Sequence, residues 1–352
     1  MDTRRKPPAI DIALIKSILK SDKEEVRRLL REGADLSYRH TDGSSWLHMV
    51  ATTGNTDILR ILLETGIPID QRNNALETPL IVATSHNKPE IVRMLLENGA
   101  DVNAKRENGS TALLFACVLG KEELVQLLIE RGADVNLTNN NLDTPLIVAT
   151  DGGFDRICEM LIRYGADTRL GRKNGATALH ISAGKGDIRI VRLLLDKIPV
   201  NIVNNDNETP LLVALARNQL EIVKMLLEAG ASPEIVSNYG VTAYDLAIRD
   251  KNLWKLLLKN TDSIGFLIRQ KASFQRIVTI LLEEAKRGRG ELLYYLLAYT
   301  EKGRRELRSY FIWLLERYRK NLRNIPEEIG EKVLAYIADP KETSMILRER
   351  LG

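Results

Sequence analysis

The stretch Glu77-Thr-Pro-Leu-Ile-Val-Ala-Thr-Ser-His-Asn-Lys-Pro-Glu-Ile-Val-Arg-Met-Leu-Leu-Glu-Asn-Gly-Ala-Asp-Val-Asn-Ala-Lys-Arg106 decides how the rest of the chain is read. It opens on Thr-Pro-Leu, runs through an apolar segment, breaks briefly, and closes a second apolar segment with Asn-Gly-Ala-Asp. Thr78, Thr111, Thr144, Thr177, Thr209 and Thr242 head successive copies at a 33-residue period, with Ser45 one period earlier and only the step from Thr177 to Thr209 a residue short. Each part has a local reason. The Thr78 hydroxyl can cap a helix start, and Pro79 suits the first helical position, where its missing N–H is not needed. Ile91, Val92, Leu95 and Leu96 form one apolar stripe that a lone helix pair cannot bury, so a stacked neighbour is required. Gly99, like Gly33, Gly66, Gly132, Gly165 and Gly230, follows the second helix, where a left-handed residue ends a helix without a Cβ clash.

A Thr-Pro-Leu-His-like opening and a Gly-Ala-Asp close, 33 residues apart, resemble the ankyrin repeat. The resemblance implies an all-α solenoid of helix-turn-helix pairs with β-hairpin fingers, here followed by a C-terminal helical module. The expected organisation is a degenerate N-terminal cap at 1–39, six to seven repeats at 40–260, a helical region at 261–323 and a distinct segment at 324–352. In the cap, Ile12-Ala-Leu-Ile15 replaces the usual opening, with Lys16 and Lys20 available to solvent, as an end unit with one wet face requires. Two flavours of repeat alternate, and Thr-Pro-Leu-Ile-Val-Ala-Thr occurs verbatim at 78–84 and 144–150. The Gly-Ala-Asp close becomes Gly66-Ile-Pro68 in one copy and Asp196-Lys-Ile-Pro199 in another, where a changed turn is expected.

Charge is uneven: residues 1–252 carry 31 Lys and Arg against 34 Asp and Glu, residues 253–352 carry 20 against 13, so the two parts stand at −3 and +7. That asymmetry fits a separate C-terminal module, although surface charge of this size also serves solubility alone. Cys117 and Cys158 lie in apolar stretches of different repeats and read as buried thiols of a reducing compartment. The basic N-terminus is followed by an apolar segment broken by Asp11 and Lys16, unlike a secretory leader, and no stretch reaches the roughly 20 apolar residues of a membrane span. A cytoplasmic protein is expected.

No phosphate-binding loop, zinc-protease helix or nucleophile elbow occurs, and four histidines with two distant cysteines offer no metal-ligand spacing. His48 and His180 fall at the Leu-His position of the repeat, where the imidazole ties neighbouring loops together. The chain is therefore expected to be no enzyme, to need no cofactor or metal, and to work by binding protein. By resemblance to the family, the finger tips and the exposed edge of each first helix line a binding face. The tip residues assigned to a target are Arg72, Asn74, Lys105, Arg106, Asn140, Arg172, Lys173, Asn205 and Tyr239. Read singly, the Asn-rich tips are also ordinary turn residues.

Between Lys302 and Arg323 stand eight Lys or Arg against Glu306 and Glu316, but an apolar stripe runs through the same segment and no groove-reading motif accompanies it. Further on, Asn324-Ile-Pro-Glu-Glu-Ile-Gly-Glu-Lys-Val-Leu-Ala-Tyr-Ile-Ala-Asp-Pro340 resembles the opening of an F-box, with Ile325 and Val333 in place of the usual Leu and Ile. The resemblance implies that Ile325, Pro326, Ile329, Val333, Leu334 and Ile337 bind the Skp subunit of a cullin-RING ubiquitin ligase. Together with the repeats it is similar to the poxvirus-type ankyrin C-terminal (PRANC) architecture, found in poxviruses, some intracellular bacteria and parasitoid insects, which implies a protein monomeric before complex formation and, if a viral or bacterial effector, acting in host cytoplasm. An ordinary helix N-terminus also begins Ile-Pro-Glu-Glu. The function expected is an adaptor presenting a target for ubiquitin transfer; the alternative is a scaffold that sequesters a signalling protein, as inhibitory ankyrin proteins of the NF-κB pathway do.

Overall fold

The computed structural model describes residues 9–247, together with Leu253, Leu256 and Leu257. The expected helical region at 261–323 and the terminal segment at 324–352, with Ile325, Pro326, Ile329, Val333, Leu334 and Ile337, lie outside the described residues. The chain divides into two compact units, the first ending at Ala178 and the second beginning at Leu179.

The first unit stacks five helical pairs: α1 (Ala9–Lys20) with α2 (Lys23–Arg31), α3 (Trp46–Thr53) with α4 (Thr56–Glu64), α5 (Pro79–Ser85) with α6 (Pro89–Glu97), α7 (Ala112–Val118) with α8 (Glu122–Glu130), and α9 (Pro145–Gly152) with α10 (Asp155–Arg163). First helices pack on first helices and second on second, so each apolar stripe is covered by the next pair. In α6 the stripe behaves as read: Ile91, Val92 and Leu95 are buried and Leu96 is half-buried. The second unit contains α11 (Ala178–Lys185, its first residue at the boundary), α12 (Ile188–Leu195), α13 (Pro210–Ala216), α14 (Leu220–Glu228) and α15 (Ala243–Ala247). In it α13 packs on α14 and α15, and α12 on α14. Leu253 and Leu257 are buried.

The helix starts follow the threonines. Thr78, Thr111, Thr144 and Thr209 accept from the backbone N–H of Ile81, Leu114, Ile147 and Leu212, and Pro79, Pro145 and Pro210 sit at the first turn. At the other end, Gly99 has φ +86°, and the following Ala100 is buried with its N–H on the Leu95 carbonyl. Where Asp196-Lys-Ile-Pro199 stands instead, α12 closes through the Lys197 N–H to Leu194 at 2.9 Å, and Ile198 takes the buried place of the alanine. The shortened turn expected there is present.

Hairpin fingers are reduced to tight reversals. Each tip is a four-residue turn, such as Leu76 N–H to Asn73 at 2.9 Å, enclosed by one wider bond, such as Asn73 N–H to Glu77 at 3.1 Å. Among the described residues the β pairing is a single isolated bridge, Gly171 with Thr177. The arms are too short for a ladder within a finger, and the tip N–H groups bond the neighbouring finger instead.

Candidate protein-binding site

That neighbouring bond is the frame of the site. In the first unit, Asn74 N–H donates to the Asp42 carbonyl (2.9 Å), Glu107 to Ala75 (3.0 Å), Asn140 to Asn108 (2.9 Å) and Lys173 to Asn141 (3.1 Å). In the second unit Asn238 donates to Asp206 at 2.8 Å. One backbone bond per repeat thus joins successive tips into a ridge.

At the base of the fingers a second row locks repeat to repeat. The Asn103 side chain accepts from the Asp134 N–H (2.9 Å) and donates to the Gly132 carbonyl (3.3 Å); Asn136 does the same with Asp167 (2.7 Å) and Gly165 (3.2 Å). Asn201 repeats the clamp in the second unit with Ser232 and Gly230. Each satisfies a donor and an acceptor that a helix end leaves over. Asp70 occupies this place in its repeat and only accepts, both oxygens facing the Asp101 N–H at 3.1 and 3.2 Å. Its carboxyl is raised above the usual carboxylate range, by burial first and by the Asp101 carboxylate besides.

The histidines do what their position suggested. His48 is 2% exposed; Ser45 N–H donates to its Nδ1 (3.1 Å), so Nε2 carries the proton and donates to the Glu77 carbonyl (2.8 Å). His180, equally buried, joins the Glu208 carbonyl through Nε2 at 3.0 Å. Burial pushes both imidazoles below their ordinary pKa, holding them neutral. Cys117 and Cys158 are free, buried thiols, and burial raises the Cys117 pKa, which keeps it protonated and unreactive.

The expected target residues divide by what they touch. Arg72, Asn74, Lys105, Asn140, Lys173, Asn205 and Tyr239 are exposed, while Arg106 and Arg172 are half-buried. Arg72 Nη1 donates to the Lys105 carbonyl (2.9 Å) and Lys105 Nζ to the Thr138 carbonyl (3.3 Å), each staking its finger to the next. Asn74 and Asn140 reach back to the Thr41 and Glu107 carbonyls. Arg106 pairs with Glu77 at 3.3 Å and lies over the Phe115 ring, 5.5 Å from its centroid. Arg172 bridges Asp143 (2.9 Å) and Asp151 (2.6 Å). Tyr239 is 70% exposed, with its hydroxyl on Asp206 at 3.2 Å. Within the first unit the ridge brings Arg72, Asn74, Lys105, Arg106, Asn140, Arg172 and Lys173 together; Asn205 and Tyr239 belong to the second.

Two ridge residues escaped the sequence reading. Where four tips end on glycine with φ of 72–80° (Gly43, Gly109, Gly175 and Gly240), Leu76 and Leu142 adopt φ of 58° and 60°. A branched side chain in the left-handed region costs about 1–2 kcal/mol. Burial returns only part of it, since the two leucines are 44% and 49% exposed. Asn207 fills the same place in the second unit at φ 56° and gains a hydrogen bond to the Val236 carbonyl. The signal was available in the sequence as two leucines breaking a periodic run of glycine.

Pairs of helices stacked in register and joined by a ridge of finger tips define a repeat protein that binds through its surface. The family description "Ankyrin repeats (3 copies)" matches residues 14–106, 103–171 and 152–237, and the chain belongs to this family. Among solved structures it is similar to the ankyrin repeat domain of Bcl-3, described as a unique member of the IkappaB protein family: 28% identity over 60% of this chain and 97% of that one, with a TM-score of 0.56. No curated protein matches the chain. Among the described residues, no helix is long and apolar enough to cross a membrane.

Proposed function

We propose that the chain is a non-enzymatic scaffold of the cytoplasm that holds a protein partner on its finger tips and sequesters it. The ankyrin repeats make protein–protein interaction the role of this fold, and the likeness to a member of the IkappaB protein family favours the scaffold reading. The observation that carries the reading is the ridge itself, a row of fingers joined by backbone bonds on which Asn74, Lys105, Asn140 and Lys173 stay exposed. In this reading Arg72, Asn205 and Tyr239 are further contacts, and Arg106 and Arg172 shape the surface from beneath. A partner captured by the full chain should dissociate when Lys105→Glu and Lys173→Glu are combined, with the melting temperature unchanged. Retention of the partner by the folded variant would place binding elsewhere.

The second reading, an adaptor for a Skp–cullin ubiquitin ligase, is favoured by one stretch, Ile325-Pro-Glu-Glu-Ile329 and the apolar positions Val333, Leu334 and Ile337 after it. In that reading the PRANC-like region at 261–323 links the repeats to a docking helix. Mixing the purified protein with Skp on a sizing column separates the two. Co-elution abolished by Ile329→Asp and weakened by Pro326→Ala supports the adaptor; separate elution of wild type and Skp leaves the scaffold.

A further inference from the structure

We propose that Leu76 and Leu142 are a pair of apolar anchors for an acidic, leucine-bearing segment of a partner, lying extended along the fingers of the first unit. The inference rests on the protein-binding reading above and names the chemistry of the partner.

The two leucines occupy one place in alternate fingers, with Gly109 in the finger between them. Their conformation is not imposed by packing. At Gly43 and Gly109 a Cβ would lie 2.5–2.6 Å from the side-chain oxygens of Asn74 and Asn140, so glycine fits best there. The fingers that follow Leu76 and Leu142 carry Glu107 and Lys173 in the place of those asparagines, and the leucines project into water. A large apolar residue held in a disfavoured region with about half of its surface still in water points to a role outside the fold. Asparagine, as at Asn207, would serve the stack better, since it tolerates the conformation and reaches the next finger's carbonyl.

The charge beside the leucines selects the partner. Arg39, Arg72 and Lys105 recur at one position of three consecutive finger arms, all exposed, the last two held in place by the next finger's backbone. Acids stand against them, most already engaged: Asp42 accepts from Ser44 N–H (2.9 Å) and Oγ (3.0 Å), Glu77 pairs with Arg106, Asp35 accepts from Ser37 and Asp70 from the Asp101 N–H, and Glu107 is exposed. A row of three fixed cations alongside two apolar pegs matches a segment with carboxylates between two leucines. Stacked helices stand about 10 Å apart, so alternate fingers are separated by roughly 20 Å, which an extended strand spans in about six residues.

The test uses the full chain and fluorescein-labelled peptides in which two leucines six residues apart flank Asp and Glu, read by anisotropy. Controls replace the acids with Lys, or the leucines with Ser. The wild type should bind the acidic peptide, and Leu76→Asn with Leu142→Asn should weaken it at least tenfold while melting no lower than wild type. Leu76→Gly with Leu142→Gly is the second variant, with the same expectation for binding. Equal binding by the variants, preference for the Lys peptide, binding of the Ser peptide as tight as the Leu peptide, or a lowered melting temperature in the Asn variant would each overturn the inference. So would a wild type that binds no peptide. The scaffold and adaptor readings are scored on complexes with folded partners and survive any of these results.

Discussion

Replacing Asp70 with asparagine should make this protein more stable. Three repeats place asparagine at that position, and in each the side chain accepts from one backbone N–H of the next repeat and donates to one of its carbonyls, as Asn103 does with Asp134 and Gly132. Asp70 keeps the first bond, to the Asp101 N–H, but has no proton for the Gly99 carbonyl, and its partly buried charge stands beside the Asp101 carboxylate. Burial is the larger cause of its raised pKa; the Asp101 N–H and Arg72 oppose it only in part. One recovered hydrogen bond contributes about 1 kcal/mol, or a rise in Tm of about 2–4 °C for a chain of this size. Because a raised carboxyl pKa means that the folded state binds the extra proton, the charge is destabilising above that pKa and harmless below it. The advantage of Asp70→Asn is therefore full at pH 7 and shrinks as the pH falls through the Asp70 pKa towards 3.8, where a protonated Asp70 carries a donor of its own. Thermal and urea melts of both proteins at pH 7 and near pH 4 measure this. A variant that melts at or below wild type at pH 7, or whose advantage grows in acid, refutes the reasoning.

The converse change, Asn136→Ala, removes both halves of an intact clamp and should cost about 1–2 kcal/mol, seen as a lower urea midpoint and faster hydrogen exchange at the Asp167 amide. His48 and His180 are held neutral with lowered pKa values, so their contribution is complete above about pH 6.5 and is lost below it, at up to about 1.4 kcal/mol per pH unit for each. A melting temperature that is flat from pH 7.5 to 5, or falls as steeply in His180→Gln as in wild type, contradicts that. Gly109→Ala meets Asn140 Oδ1 at 2.6 Å and its backbone nitrogen at 3.0 Å at a φ of +80°, and should destabilise by about 1–3 kcal/mol; a neutral change would show that the ridge yields. Leu95→Ala empties a fully buried site in α6 and should cost about 2–5 kcal/mol by the same melts.

What could be read from the sequence was whatever one residue does by itself or at a fixed period. Thr78 and Pro79 announce a helix start and Gly99 its end, because each depends on backbone geometry within a turn or two; the bridging role of His48 and His180 came from the family resemblance, their partners lying in the next repeat. Arg106 and Arg172 were legible as tip residues but not as partners of Glu77 and of Asp143 with Asp151, which requires knowing how far one finger leans on another. Asparagine misled in a different way. Its turn propensity explains its presence at tips equally well as bonds to the preceding finger, so Asn74 and Asn140 read as local residues when they also hold two repeats together. The clamp of Asn103 and Asn136 hid behind the same ambiguity, and only its recurrence two residues after Gly-Ala-Asp distinguishes it.

The separation of stability from recognition follows from where the hydrogen bonds go. Between fingers the recurring bond is backbone to backbone and is the same whether the tip ends on Gly43, Leu76, Gly109 or Leu142, so it places no demand on the side chain that it carries. Demand comes instead from the next finger: Asn74 and Asn140, reaching back, crowd the space that a Cβ would need at Gly43 and Gly109, whereas Asn207 is accommodated ahead of Asn238. Where the next finger offers Glu107 or Lys173, that constraint is lifted and a large residue is tolerated at the cost of backbone strain alone. Alternation of the two repeat flavours therefore fixes which fingers are free to vary, and the free ones in the first unit are those that present leucine to water. A surface built this way changes its partner by substitution at every second tip without touching the bonds that hold the repeats together.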